Sequence, residues 1–415
     1  MIKSRVGILA LLTALNLVNY IDRYLVMAVG PKFQGELRLT DGELGLVEAA
    51  FMIGYMITSP IFGRLGDRYP RKALIAAGVA LWSIATVVSG LAHGTGSMLA
   101  ARIAVGVGEA SYATIGPTII LDLAPREAKN RWLAIFYVAI PVGAALGYIL
   151  GGALEPSLGW RAAFFVCGGP GLLLAATVLL IAEPARSHAG EGDGADAVAT
   201  YLALFRNAPY RLAVLGYVAQ TFAIGGFSAW AAPFLERRLC LPLSQGTQIF
   251  GVITGATGLV GTALGGILAD RLPGDDRTRV NLRVCAWSSA VAVPLGVVAL
   301  FQPTAVGAFV ALGLCQLAIF ASTSPTNAAV LLSVPPHMRA SAMAASIFFI
   351  HLCGDLVSQP VVGVIADAFH DSHEICSGAR GLRFGMCLLP LALVFSAFAW
   401  HRGAGAARVT LPDTA

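Results

Sequence analysis

Long apolar runs alternate with short polar breaks along the whole 415-residue chain. Twelve such runs can be read, at roughly 6–30, 42–66, 72–92, 96–123, 131–153, 161–182, 210–236, 244–270, 281–301, 304–334, 340–367 and 380–401. A helix needs about 20 mostly apolar residues to cross a bilayer, and each run supplies that length or nearly so. Backbone polar groups in hydrocarbon must be satisfied inside their own segment, so the runs are predicted to be helices, not strands. The longest polar interruption, 183–209, divides them six and six. It opens on Glu183-Pro184 and passes through a Gly/Ala/Asp stretch at 190–197, which reads as a flexible linker. It continues with Tyr201-Leu202-Ala203-Leu204-Phe205-Arg206, which reads as a short amphipathic helix at the membrane surface. The predicted architecture is an all-α membrane protein. A first six-helix bundle spans 1–182, the linker 183–209, a second bundle 210–402, and a tail 403–415.

The halves carry internal matches. Asp67 and Asp270 are 203 residues apart, Pro117 and Pro325 are 208 apart, and so are Arg131 and Arg339. Ile135-Phe136-Tyr137 and Ile347-Phe348-Phe349 are 212 apart. Matches in the same order along both halves argue for a parallel repeat with pseudo-symmetry. Repeats of this kind place a substrate site between the halves near the bilayer midplane.

Composition agrees with this picture. The chain is 57% hydrophobic and 12% charged, with a mean hydropathy of +0.74, whereas soluble domains carry about 25% charged residues. With the N-terminus inside, most of the 28 Lys and Arg fall in cytoplasmic loops, among them Lys3, Arg5, Arg64, Arg68, Arg71, Lys72, Arg126, Lys129 and Arg131. The positive-inside rule then sets both termini in the cytoplasm. The net charge of +5 follows from this bias and calls for no nucleic acid. Asn16, Asn19 and Asp22 interrupt the first run and no small-residue cleavage site follows, so it reads as a retained helix, not a signal peptide. The seven cysteines suggest neither a disulfide framework nor a metal site. No nucleophile–base set or paired histidines stand out, which argues against an enzyme or a cofactor. The lack of an Asn-x-Ser/Thr sequon fits a bacterial inner-membrane protein.

Gly63-Arg64-Leu65-Gly66-Asp67-Arg68-Tyr69-Pro70-Arg71-Lys72 closes the second run, and Gly266-Ile267-Leu268-Ala269-Asp270-Arg271-Leu272-Pro273 closes the eighth. This duplicated G-x-L-[GA]-D-R resembles the loop signature of the major facilitator superfamily, where it joins the second helix of each bundle to the third. The resemblance implies a carrier that works by alternating access. It casts Asp67 as an inner-gate latch against a neighbouring helix N-terminus, where the dipole favours an anion. Arg68, Arg131 and Asp270 belong to the same inner gate. The basic residues that follow Asp67 need no role beyond orientation. Pro70 departs from the glycine usual in that family.

Charges inside spanning helices are costly and mark functional candidates. The first half has Asp22 and Arg23 in the first run, Glu48 in the second, and Arg102 and Glu109 in the fourth. At ~1.5 Å rise per residue, Asp22 and Arg102 each lie roughly 9–10 Å below the outer edge, at pairing depth. Glu109 is about two turns deeper on nearly the same face as Arg102, and Asn19 is one turn from Asp22. Arg102 pulls a partner carboxylate toward ionisation while burial pulls it toward protonation. Protonating Asp22 or Glu109 is therefore expected to free Arg102 and bias the gates. Glu48, near a helix end, reads as structural. At the 208-residue offset Arg102 and Glu109 correspond to Val310 and Leu317, so these charges belong to the first half alone. In the second half, His351 and Asp355 lie four apart and either contact a head group or satisfy each other. Gly143, Gly147 and Gly151 form a small-residue stripe suited to close helix contact.

Gly108-Glu109-Ala110-Ser111-Tyr112-Ala113-Thr114-Ile115-Gly116-Pro117 resembles the Spinster family of facilitators. So do Ile135-Phe136-Tyr137-Val138-Ala139-Ile140-Pro141-Val142-Gly143 and Asn19-Tyr20-Ile21-Asp22-Arg23. The resemblance implies proton-linked or facilitated movement of lysophospholipids or sphingosine phosphates by a single chain, with Asp22, Arg102 and Glu109 coupling and gating. A long-tailed substrate calls for an apolar cavity wall with a few polar groups. Tyr137, Phe222, Trp230, His351 and Asp355 are the candidates, with Phe227, Phe234, Phe348 and Phe349 facing either that cavity or bilayer lipid. A proton-linked multidrug or organic-anion carrier on the same fold is the alternative. The absence of a deep Arg or Lys from the second half weakens its anion version.

Overall fold

The structure is a computed structural model describing residues 4–125, 128–183, 197–335, 338–369, 376 and 379–407. It is helical throughout these segments apart from short connections. The helices are α1 (Arg5–Leu37), α2 (Asp41–Arg68), α3 (Arg71–Ser89), α4 (Thr95–Leu123), α5 (Lys129–Leu179), α6 (Ala197–Arg206), α7 (Ala208–Leu239) and α8 (Leu243–Arg271). They continue with α9 (Arg277–Phe301), α10 (Ala305–Ala321), α11 (Thr323–Leu332), α12 (Arg339–Ile350), a π-helical turn at His351–Asp355, α13 (Leu356–Ala368), α14 (Arg380–Met386) and α15 (Leu388–Ala406).

Among the described residues 11 helical stretches are long and apolar enough to span a membrane. The predicted fifth and sixth spans are the two parts of α5, separated by a break at Gly159, whose φ of 76° is left-handed and favours glycine. The tenth span is α10 with α11, the eleventh α12 to α13, and the twelfth α14 with α15. The amphipathic helix expected at 201–206 is the end of α6. Residues 184–196 of the expected linker and 408–415 of the tail lie outside the described residues, as does Arg126.

Two compact units are present. The first contains residues up to 191 together with 231–255, the end of α7 and the first half of α8. Its helices pack α1 on α5, α2 on α4, and α3 on both α4 and α5. Trp82, Tyr112 and Phe136 anchor its core, with Leu12, Leu15, Val105 and Ile119 around them. The Tyr112 hydroxyl donates to the Leu12 carbonyl of α1, which gives the buried phenol its partner. In the second unit α9 packs on α10, α11 and α15. Tyr210 donates to the Ala342 carbonyl at 2.8 Å and the Trp400 indole to Ala213 at 3.0 Å, tying α7 to α12 and α15.

Candidate functional site

Two close helix crossings in the first unit assemble the charged cluster. On α5 the glycine stripe seats α1: a Cβ at Gly143 would lie 2.6 Å from that of Tyr20, and one at Gly147 would lie 2.8 Å from the Ile21 carbonyl. On α2 and α4 the approach is closer still. A Cβ at Gly106 would stand 1.8 Å from the Phe51 carbonyl, and one at Gly54 would stand 2.2 Å from that of Ile103. Only glycine permits backbones this near. The crossing brings Glu48 and Phe51 of α2 beside Arg102 and Glu109 of α4, each about one turn from the contact.

Arg23 Nη2 donates to Glu109 Oε2 at 2.6 Å, and both side chains are largely out of solvent. The Arg23 guanidinium also lies 4.4 Å from the Phe51 ring centre and 5.0 Å from that of Tyr20. Arg102 lies 5.4 Å from the same Phe51 ring. Phe51 therefore faces two cations, and such contacts strengthen when desolvated. Asp22 is fully buried, and neither carboxylate oxygen has a hydrogen-bond partner among the described residues. The same holds for Arg102 Nε and Nη1, Glu109 Oε1 and Asn19 Nδ2.

Asp22 and Arg102, which the sequence places at pairing depth, make no hydrogen bond to each other, and the ion pair joins Arg23 to Glu109. Helical rise fixes position along the axis but leaves orientation around it open. Adjacent residues point about 100° apart, so Asp22 and Arg23 cannot present the same face. Arg102 nonetheless interacts electrostatically with Glu109, Asp22 and Glu48. The sequence signal for Arg23 was its own position inside the membrane.

The inner-gate candidates Asp67 and Arg68 are exposed at the end of α2, and Arg131 is exposed in the first turns of α5. Asp270, 87% exposed at the end of α8, lies 3.6 Å from Arg277. Arg71 does more than set orientation. Buried at the start of α3, it donates to Asp122 at 2.6 Å, while the backbone N–H groups of Arg71 and Lys72 donate to Glu183. Glu183 thereby caps α3, where the helix dipole favours an anion.

Of the substrate-cavity candidates, Tyr137 is 45% exposed in the first unit. In the second unit Phe222 lines an apolar groove of about 310 Å³ with Leu215, Val218, Cys353, Leu391 and Phe395. Trp230 does not line this groove: it is fully buried, its indole N–H donates to the Gln359 carbonyl at 3.0 Å, and Phe227 is buried as well. Phe234, in the first unit, is also buried. His351 Nδ1 lies 3.1 and 3.2 Å from the two carboxylate oxygens of Asp355 across the π-helical turn, so the two side chains do meet. π-Helical turns inside α-helices recur at functional sites.

Two features lay outside the sequence reading. Arg237, near the end of α7, is buried, and donates to both carboxylate oxygens of Asp41 at 2.8 and 2.9 Å and to Gln34 Oε1 at 2.7 Å. Gln34 Nε2 in turn donates to Asp41 at 2.7 Å. Lys32 and Glu236 pair beside them at 3.2 Å. Secondly, Cys240 and Cys376 are disulfide-bonded, against the expectation of free cysteines. Both stand in connections with left-handed backbone, a setting that hydrophobic patterning does not register.

The Major Facilitator Superfamily model matches residues 12–358. The human protein spinster homolog 1 is 34% identical over 407 residues, covering 92% of this chain and 77% of that protein. A zebrafish (Danio rerio) sphingosine-1-phosphate transporter, SPNS2, is 32% identical over 397 residues, covering 90% and 78%. Protein spinster of Drosophila melanogaster is 35% identical over 369 residues, and this chain spans 60% of its length. Among solved structures, a bacterial homolog of the human lysosomal transporter Spinster, inward-facing and unoccupied, superposes with a TM-score of 0.85. It covers 99% of both chains at 23% identity.

Proposed function

This chain is a Major Facilitator Superfamily transporter of the Spinster family, integral to a membrane and not an enzyme, and from that premise we propose that it moves an amphiphilic lipid-like substrate. The substrate class is a lysophospholipid or sphingosine phosphate, carried by alternating access and coupled to protons through Asp22, Arg102 and Glu109, with Arg23 as the partner of Glu109. The substrate class draws support from the zebrafish relative, a sphingosine-1-phosphate transporter, and from an Arabidopsis thaliana relative described as a probable sphingolipid transporter. The apolar groove at Phe222 suits an acyl or sphingoid tail, and the His351–Asp355 pair offers a polar contact for a head group.

One observation carries the coupling reading. A short ion pair, Arg23–Glu109, stands beside a buried carboxylate, Asp22, and a buried guanidinium, Arg102, that are held near each other without a hydrogen bond. Protonating Glu109 would release Arg23, and protonating Asp22 would release Arg102. Either event changes which helices are bound together, and the proton biases the cycle if the two states hold it with different affinity. Both termini are assigned to the cytoplasm of a bacterial inner membrane on the distribution of Lys and Arg. The disulfide-bonded Cys240 and Cys376 support this orientation. Both fall in loops assigned to the outer face, and disulfides persist on oxidising faces.

The test is flux of a labelled lysolipid or sphingosine phosphate in proteoliposomes under an imposed pH gradient, for wild type, Asp22→Asn and Glu109→Gln. Gradient-driven flux lost in both variants is the expected result. Full gradient dependence in both variants would refute the coupling. Transport of drug-like cations or organic anions in place of lipid would replace the substrate class.

A further inference from the structure

Glu48 is the buried ionisable group that the coupling scheme above leaves unused. It sits one turn before Phe51 on α2, is 1% exposed, and neither carboxylate oxygen has a hydrogen-bond partner among the described residues. On α1 it faces Gly30, where a Cβ would come 3.2 Å from Glu48 Oε1. That glycine leaves room for the carboxyl group and offers it no donor. From α4 its electrostatic partner is Arg102. On its own helix it also feels Asp41, which is already held by Arg237. Asp22 and Arg23 stand two turns away along α1 from Gly30, and both interact with Arg102.

Charge counting over this cluster is decisive. Asp22, Glu48 and Glu109 are three acids; Arg23 and Arg102 are two bases, and arginine keeps its proton in proteins. Fully ionised, the five groups leave one uncompensated negative charge inside a membrane span. A buried charge without a partner costs several kcal/mol and is relieved by binding a proton. Arg23 is committed to Glu109 at 2.6 Å. Arg102, with two nitrogens lacking a hydrogen bond, remains for either Asp22 or Glu48.

We propose that Glu48 is a second proton-carrying carboxylate of this transporter, exchanging one proton with Asp22 as Arg102 changes partner. When Arg102 serves Asp22, the proton is on Glu48. When Arg102 turns to Glu48, the Glu48 O–H bond breaks and an O–H bond forms on Asp22, so the net charge of the cluster stays constant. The consequence for transport rests on the proton-coupled reading, but the presence of the proton on Glu48 does not.

Infrared difference spectroscopy across a pH titration tests this on the full-length protein in liposomes, because a protonated carboxylic acid has its own carbonyl-stretch band. Wild type is compared with Glu48→Gln, Glu48→Asp and Asp22→Asn. The expected result is loss of one band component in Glu48→Gln and a displaced one in Glu48→Asp, which guards against misfolding of the first variant. In Asp22→Asn the Glu48 component should persist and titrate at a changed pH. A Glu48→Gln spectrum superimposable on wild type throughout the titration would overturn the proposal. The two readings fail separately. Gradient-driven flux lost in Asp22→Asn, with no Glu48 band, sinks the inference and leaves the coupling. A Glu48 band without gradient-driven flux in wild type keeps the inference and removes the coupling.

Discussion

Removing Arg237 should expose how the end of α7 is held in the first unit. The guanidinium makes two hydrogen bonds to Asp41 and one to Gln34, and Arg237 and Asp41 are each 1% exposed. Breaking a buried pair by deleting one partner costs about 3–5 kcal/mol, because the remaining charge is stranded. Arg237→Ala leaves Asp41 its bond from Gln34 Nε2 and its place in the first turn of α2, where the dipole stabilises an anion. The lower end, about 3 kcal/mol, is therefore expected. Replacing both members by leucine removes the stranded charge and should cost no more than about 1 kcal/mol, since apolar replacement of a buried pair is often neutral. The assay is equilibrium unfolding in mixed micelles, followed by tryptophan fluorescence, of wild type, Arg237→Leu, Asp41→Leu and the double variant. With about 3 kcal/mol for each single variant and about 1 for the double, this cycle gives a coupling of about 5 kcal/mol in magnitude. Additive single effects, with a coupling under about 0.5 kcal/mol, would refute the claim that the pair acts as a unit.

Three further outcomes follow from named contacts. Gly106→Ala should destabilise by about 1–3 kcal/mol, because its Cβ meets the immovable Phe51 carbonyl and forces α2 off α4; unchanged melting and flux would contradict the crossing. Trp230→Phe should cost about 1 kcal/mol through the lost bond to Gln359 and leave the apparent affinity for substrate unchanged, so a large rise in KM would return Trp230 to the cavity wall. In intact cells, a membrane-impermeant maleimide should label Cys240 and Cys376 only after reduction, in a background where the other five cysteines are serine; labelling without reductant would contradict their being disulfide-bonded, and protection after reduction would reverse the assigned orientation.

The spans were legible because a bilayer imposes one period and one length on every crossing segment, and twelve apolar runs express both. Patterning also separated the fifth and sixth spans, which part at Gly159, where the backbone leaves the helical region. The duplicated loop signature revealed the fold through Asp67 and Asp270. It said nothing of Arg71, whose partner Asp122 lies 51 residues away and whose second partner Glu183 lies 112 away. Rotation about helix axes was the main hidden variable. Asp22 and Arg102 lie near enough to interact, yet the ion pair forms one residue along, at Arg23. Phe222 and Trp230, eight residues apart on α7, illustrate the same limit: one lines a groove and the other is sealed in the core.

That hidden variable also bears on the switching we propose for the cluster. Helix α1 seats Tyr20, Tyr24 and Ala28 directly against the glycines of α5, with no side chain of α5 between them at those points. A small rotation would carry Arg23 away from Glu109 and Asp22 toward a new partner without breaking a backbone hydrogen bond. The cost of such a step lies in the charges it exposes to lipid, and a proton offsets that cost at whichever acid is left unpaired. With three acids and two bases, one acid is always unpaired. Under the coupling we propose, the proton is therefore not an accessory to the rearrangement; it makes each arrangement of the buried charges tolerable in a membrane.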